Sequence, residues 1–265
     1  MSSDKRPVKP FFFLIAVVLL TALGVSHATT SAGQNSKIYL PFITSSVNCD
    51  VPGQSYASLP IIPPPIDKPA EVHPELNLGL RGYEPTTAAL KLVQLGPVHD
   101  PNAPQLDALF TPERLPIFSN AYQRYAWDYS CNCRSDDTSS PWDTTVLGMA
   151  VAPGEIIRVP DSGYDVGGGH DVLVLYASEQ RITLHYGRED NVDGYVIHIE
   201  DVCVEPDLLA LYRSLNAAGR QELPALPGRQ PLGRALSNEI KVAVRDGGHF
   251  LDPRSCNDWW QEYPC

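Results

Sequence analysis

His170 and Asp171 follow three glycines, Gly167-Gly168-Gly169, and a His-Asp pair on such a turn has the residue types for general acid–base work. Neighbours along a strand point to opposite faces, so the pair reads more simply as a hairpin turn with a surface histidine. The glycines lack the Gly-x-Gly-x-x-Gly spacing of a phosphate cradle. His185 and His198 fall on neighbouring predicted strands, where they either face each other as ligands or stand half exposed. Between them Arg188-Glu189-Asp190 reads as a charged turn, or as a contact to a sugar or peptide. Trp259 and Trp260 lie near the chain end, and Trp127, Trp142, Tyr122, Tyr125 and Tyr129 form a second aromatic-rich stretch. Such residues stack on sugars and peptides or close a small core. No Gly-x-Ser-x-Gly nucleophile elbow occurs. The candidate binding residues are therefore Arg188, Glu189, Asp190, Trp259 and Trp260, and no residue is singled out as catalytic.

The six cysteines, Cys49, Cys131, Cys133, Cys203, Cys256 and Cys265, take their meaning from the compartment. Lys5, Arg6 and Lys9 precede an apolar run over residues 11–25, and Ser26-His27-Ala28 follows. A basic start, a short apolar centre and a small-x-small site make a secretory signal cut after Ala28. The run is shorter than the roughly 20 residues of a membrane span, so an uncleaved N-terminal anchor is the lesser reading. No later segment reaches spanning length. In an oxidising compartment the even cysteine set predicts disulfides, and no Cys-x-x-Cys or His-x-x-x-His spacing supports a zinc site. Cys131 and Cys133, one residue apart, are expected to reach different partners. Cys256 and Cys265 flank the tryptophans, which suggests a tail pinned by disulfides.

Losing residues 1–28 removes three basic residues and one acid, so the net charge moves from −11 to −13. That charge argues against nucleic acid or anionic lipid as a partner.

Four stretches follow from composition. Residues 1–28 are the signal, and residues 29–50 a Ser/Thr-rich juxta-signal segment. Residues 51–116 are a proline-dense arm whose interleaved leucines suggest packing on the domain, with a short helix at residues 86–95. Residues 117–265 form a β-rich domain with a Cys/Trp tail. Strands are predicted at residues 146–151, 155–159, 171–177, 181–186, 195–199 and 239–244, with one helix at residues 206–218. The fold class is mostly β: a single barrel or sandwich with one inserted helix.

Two resemblances emerge from these strings. Ile38-Tyr39-Leu40-Pro41-Phe42 resembles a segment found just past the signal in exported proteins of Chloroflexus-type bacteria. Gly154-Glu-Ile-Ile-Arg-Val-Pro-Asp-Ser-Gly163, Gly194-Tyr-Val-Ile-His-Ile199, Leu211-Tyr212, Gly228-Arg-Gln-Pro-Leu-Gly233, Glu239-Ile-Lys-Val-Ala-Val-Arg245 and Gly248-His-Phe-Leu-Asp-Pro253 come in that order. That succession is similar to the lysostaphin-type zinc endopeptidases, which have a duplicated-hybrid-motif barrel. The resemblance implies zinc held by a His-x-x-x-Asp segment and by the second His of His-x-His. It sets those positions on Thr144, Gly148, Glu239 and Lys241, none of which is the family's residue. An ammonium at Lys241 stands where a cation would be bound.

The expectation is a non-catalytic secreted or cell-surface protein without a metal or cofactor, binding cell-wall glycan or peptide on a degenerate peptidase-like barrel. Two alternatives remain open: a wall-acting hydrolase with a relocated metal site, and a structural surface protein.

Overall fold

Successive side chains leave a strand on opposite faces, so a period of two in apolar residues is the signature of a half-buried strand. The computed structural model of the chain describes residues 47–62, 65–66, 69–96 and 100–265. The expected signal, its cut after Ala28, the 38–42 segment and most of residues 29–50 lie outside the described residues. The described strands begin with β1 (Ala57–Pro60), β2 (Tyr83–Pro85), β3 (Phe118–Arg124), β4 (Trp127–Asp128) and β5 (Cys133–Arg134). Next come β6 (Val146–Ala150), β7 (Ile156–Arg158), β8 (Val172–Ser178), β9 (Arg181–His185) and β10 (Val196–Glu200). Last are β11 (Val202–Val204), β12 (Glu222–Leu226), β13 (Pro231–Ala235), β14 (Glu239–Asp246) and β15 (His249–Leu251). The α-helices are α1 (Leu78–Arg81), α2 (Pro206–Ala217) and α3 (Cys256–Trp259).

The chain is mostly β. One sheet has the order β1-β12-β8-β9-β10-β14-β6-β3-β2, with β15 paired to β14. Among the described residues it runs from edge to edge without closing, so they form no closed barrel. A second sheet, β11-β13-β7, shares its apolar cluster through Ile157, Val202 and Leu232, giving a sandwich-like core. Ile182, Leu184, Ile197, Ile199, Val242 and Val244 share one face by register and are fully buried. Each such side chain contributes roughly 1.5–3 kcal/mol of burial. The helix α2 starts on Pro206, with the Glu205 carboxylate accepting the Leu208 N–H at 2.9 Å, and it buries Leu208, Leu209 and Tyr212. Gly219 stops it in the left-handed region, at φ 93°.

The opposite face of the sheet is polar, yet it too is covered. Residues of the proline-dense stretch lie on it and meet its polar groups with backbone carbonyls. Thr183 Oγ1 donates to Leu76 O at 2.7 Å, and Arg245 Nη1 donates to Glu75 O at 3.1 Å. Leu78 packs with Val146, Ala243 and Phe250. The same stretch also enters the main core, where Ala70, Leu76, Leu106, Leu109 and Phe110 are buried.

Two local expectations need correction. Residues 86–95 form no helix, because their backbone groups are engaged elsewhere. Thr86 N donates to Ala121 O at 2.8 Å, Val93 N donates to Arg254 O at 3.1 Å, and Cys256 N donates to Val93 O at 3.0 Å. Cys131 and Cys133 pair with each other rather than with separate partners. Asn132 at φ 51° turns the chain back at the tip of the β4–β5 hairpin, bringing the two Cα atoms to 5.3 Å. The other disulfides are Cys49–Cys203 and Cys256–Cys265. Three disulfides fit an oxidising environment. Among the described residues no helix is long and apolar enough to cross a membrane.

Candidate functional site

Cross-strand register assembles the polar face in rows. Arg181, Glu200, Lys241, Gly148 and Asn120 are successive partners across β9, β10, β14, β6 and β3. Lys241 pairs with Asp201, and its Nζ lies 3.3 Å from Glu239 Oε1. The rings of Tyr83 and Tyr122 stand 5.9 and 5.7 Å from that nitrogen. Glu239 also accepts from Ser119, from Asn120 and from the Tyr122 hydroxyl, the last at 2.9 Å. Gly148 leaves room for this carboxylate, since a Cβ there would lie 2.5 Å from Glu239 Oε2.

The charges in this row are fixed by their neighbours. Burial alone would lower the Lys241 pKa, but Asp201 and Glu239 hold it above the ordinary lysine value. Burial would raise Glu239, yet bonds from Ser119, Asn120 and Tyr122 and the charge of Lys241 keep it below the ordinary carboxylate value. Glu200 differs. Burial pushes it up to about 7, only partly offset by Arg181 at 3.3 Å. A lysine held charged is not a neutral nucleophile near neutral pH.

One end of the same face carries a second cluster. Arg245 on β14 faces Phe250 on β15 across the hairpin, and the two-residue Gly247-Gly248 turn, both at positive φ, sets that register. The guanidinium carbons of Arg245, Arg124 and Arg81 lie 4.6, 5.5 and 5.6 Å from the Phe250 ring centre. Glu75 pairs with both Arg81 and Arg245 and accepts the Tyr129 hydroxyl. Burial would raise Glu75, but Arg245 and Arg81 outweigh it and bring the carboxyl down to about 2. His198 stacks on Phe250 with ring centres 5.9 Å apart. Its Nδ1 lies 3.0 Å from Thr183 Oγ1, whose one hydroxyl hydrogen goes to Leu76 O. His198 Nδ1 therefore carries the hydrogen in that pair. Burial, together with Arg245, holds this histidine well below its ordinary pKa.

Some of the residues singled out in sequence are placed differently from expectation, and others as read. His185 and His198 share a face as diagonal neighbours, but both are buried rather than half exposed. His185 Nδ1 is 3.0 Å from Glu189 O and its Nε2 is 2.6 Å from Asp193 O, so backbone carbonyls rather than a ligand engage it. Arg188 donates to Pro60 O and Val166 O, which ties the loop to the edge strand β1. Asp190 is not part of an exposed charged turn, because it is buried against Arg220 at 2.5 Å. Glu189, partly buried, is held in the same loop. Trp259 and Trp260 are 2 % and 0 % exposed and donate to Asp252 O and Pro253 O. They are core residues, not a stacking platform. His170 and Asp171 do not act together: His170 Nδ1 contacts Gly167 O at 2.9 Å, whereas Asp171 accepts from Ser162 and Gly228 N.

Sequence reasoning missed Glu75, Arg81, Arg124 and Arg245, which come from three distant segments without a spacing signal. Of the four positions that the peptidase resemblance aligns with zinc ligands, Gly148 and Lys241 are register partners and Glu239 lies beside them. Thr144 is buried, its hydroxyl bonded to Tyr122 and Val146 carbonyls. A zinc ion does not fit there, because Lys241 already fills the space between Asp201 and Glu239 with its own charge. Among the described residues no group of three or more His, Cys, Asp or Glu is arranged to hold a metal ion. No family model, curated protein or solved structure matches the chain.

Proposed function

We propose that this protein is a non-catalytic, exported binding module of the cell surface, using a peptidase-like β scaffold to hold wall glycan or peptide. The observation that carries this reading is the Lys241 ammonium, held charged by Asp201 and Glu239 opposite Gly148. On that resemblance, an internal cation takes the place of the bound one. The three disulfides suit work outside the cytoplasm. The half-exposed tyrosines Tyr83 and Tyr122 beside Lys241 offer aromatic rings of the kind that contact sugars and peptides.

Metal analysis of the purified protein tests this directly. The reading expects no stoichiometric zinc and no change in thermal midpoint with chelator. Stoichiometric zinc that chelator removes would favour a hydrolase with a relocated metal site instead.

A further inference from the structure

We propose that the arginine cluster around Phe250 is a binding site for a small oxyanion, a carboxylate or phosphate group, held by Arg124 and Arg245. The inference rests on the binding-module reading and names the chemistry of one ligand contact. It starts from a charge imbalance. Arg81, Arg124 and Arg245 gather on one ring, and among the described residues Glu75 is the one carboxylate that pairs with guanidiniums of this cluster. Glu75 Oε1 is engaged by Arg81 and the Tyr129 hydroxyl, while Oε2 is ion-paired with Arg245 and has no hydrogen-bond partner among the described residues. Asp137, an exposed residue, acts on Arg124 through its charge.

The second observation concerns hydrogen bonds. Arg124 Nε and Nη1 and Arg245 Nε are buried atoms with no hydrogen-bond partner among the described residues. Buried polar groups are nearly always paired, and a charged donor left without an acceptor is among the costliest exceptions. The two free donors of Arg124, whose guanidinium carbon lies 5.5 Å from the ring centre, mark where acceptor oxygens belong, while Arg245 has Glu75 Oε2 beside it. The planar guanidinium fork matches a carboxylate or phosphate edge, which takes two parallel N–H bonds. Arg245 is 2 % exposed and fixed by Glu75, so it forms the floor of the site. Arg124 is half-buried and gives the approach from solvent. Tyr129, exposed on the β4–β5 hairpin, lies over Glu75 and Arg81 and borders that approach.

The test uses the mature chain at constant ionic strength, titrated with sodium phosphate in one arm and sodium acetate in the other, against chloride. Calorimetry and thermal midpoint are read together. Saturable binding of phosphate or acetate beyond the chloride control is expected, and the arm that saturates at lower concentration identifies the group. Arg124→Gln should weaken it by about tenfold or more, the value of one charge-assisted hydrogen bond. Should that variant unfold, Arg124→Lys keeps the charge, removes the fork, and should show a similar loss. An effect no greater than chloride, or one unchanged in a folded Arg124 variant, would overturn the site. Free ions report on the site alone. Phosphate or acetate binding without wall binding would therefore sink the module reading, and wall binding without either would sink this site.

Discussion

Arg245 holds Glu75 twice, pairing with its carboxylate and donating from Nη1 to its backbone carbonyl at 3.1 Å. The contact fastens the proline-dense stretch to the polar face of the sheet. Replacing Glu75 by Gln should therefore cost about 3–5 kcal/mol, because it leaves Arg81 and Arg245 buried without their counter-charge. Urea unfolding of the variant measures this, and a cost below about 1 kcal/mol would contradict it.

The same carboxylate sets a pH dependence. Its folded pKa of about 2 lies below the ordinary value, so its contribution is complete above roughly pH 4.5 and is lost as pH falls toward 2. Wild type should lose stability through that window. Glu75→Gln, less stable throughout, should lose markedly less there.

Glu200 acts in the opposite sense. With a folded pKa raised to about 7, it binds a proton more tightly folded than unfolded, so stability falls as pH rises from about 4.5 to 7. Glu200→Gln should flatten that slope and gain about 1–3 kcal/mol over wild type at pH 8. A slope that survives the substitution would assign it to another group.

How far this architecture is legible in the chain depends on what sets each part. Residues 172–178, 181–185 and 196–200 alternate or run apolar without interruption, and their strands read directly. Residues 118–124 do not, because a register shift between Phe118 and Asn120 breaks the period of two. Strand β12 hides behind Pro224, which sits opposite Ser58 on the edge-strand side of the sheet. The charged loop misleads for another reason. Asp190 looks solvated in sequence, and only the return of the chain after α2 brings Arg220 onto it. The arginine cluster is less visible still, since register, hairpin and arm must all be in place before its members meet.

That burial of Asp190 has its own consequence. Asp190→Asn should cost about 3–5 kcal/mol in urea unfolding, as the loss of one partner from a buried pair does. It should leave ligand binding unchanged once the protein is folded. Reduced binding at full stability would return Asp190 to the list of contact residues.

The disulfides should differ in weight. Cys49–Cys203 spans 154 residues and Cys131–Cys133 spans two. In the chain-entropy picture the long closure contributes about 5 kcal/mol and the short one about 1–2. Serine pairs at each site, compared by thermal unfolding, should show that order. Equal losses would contradict it.

The most direct measurement incubates residues 29–265 of the protein with purified cell-wall sacculi and follows both the bound protein and the fragments released into solution. The account predicts saturable binding with no release of peptide or glycan, unaltered by added zinc or by chelator. Zinc-dependent release of soluble fragments would contradict it, as would the absence of any binding.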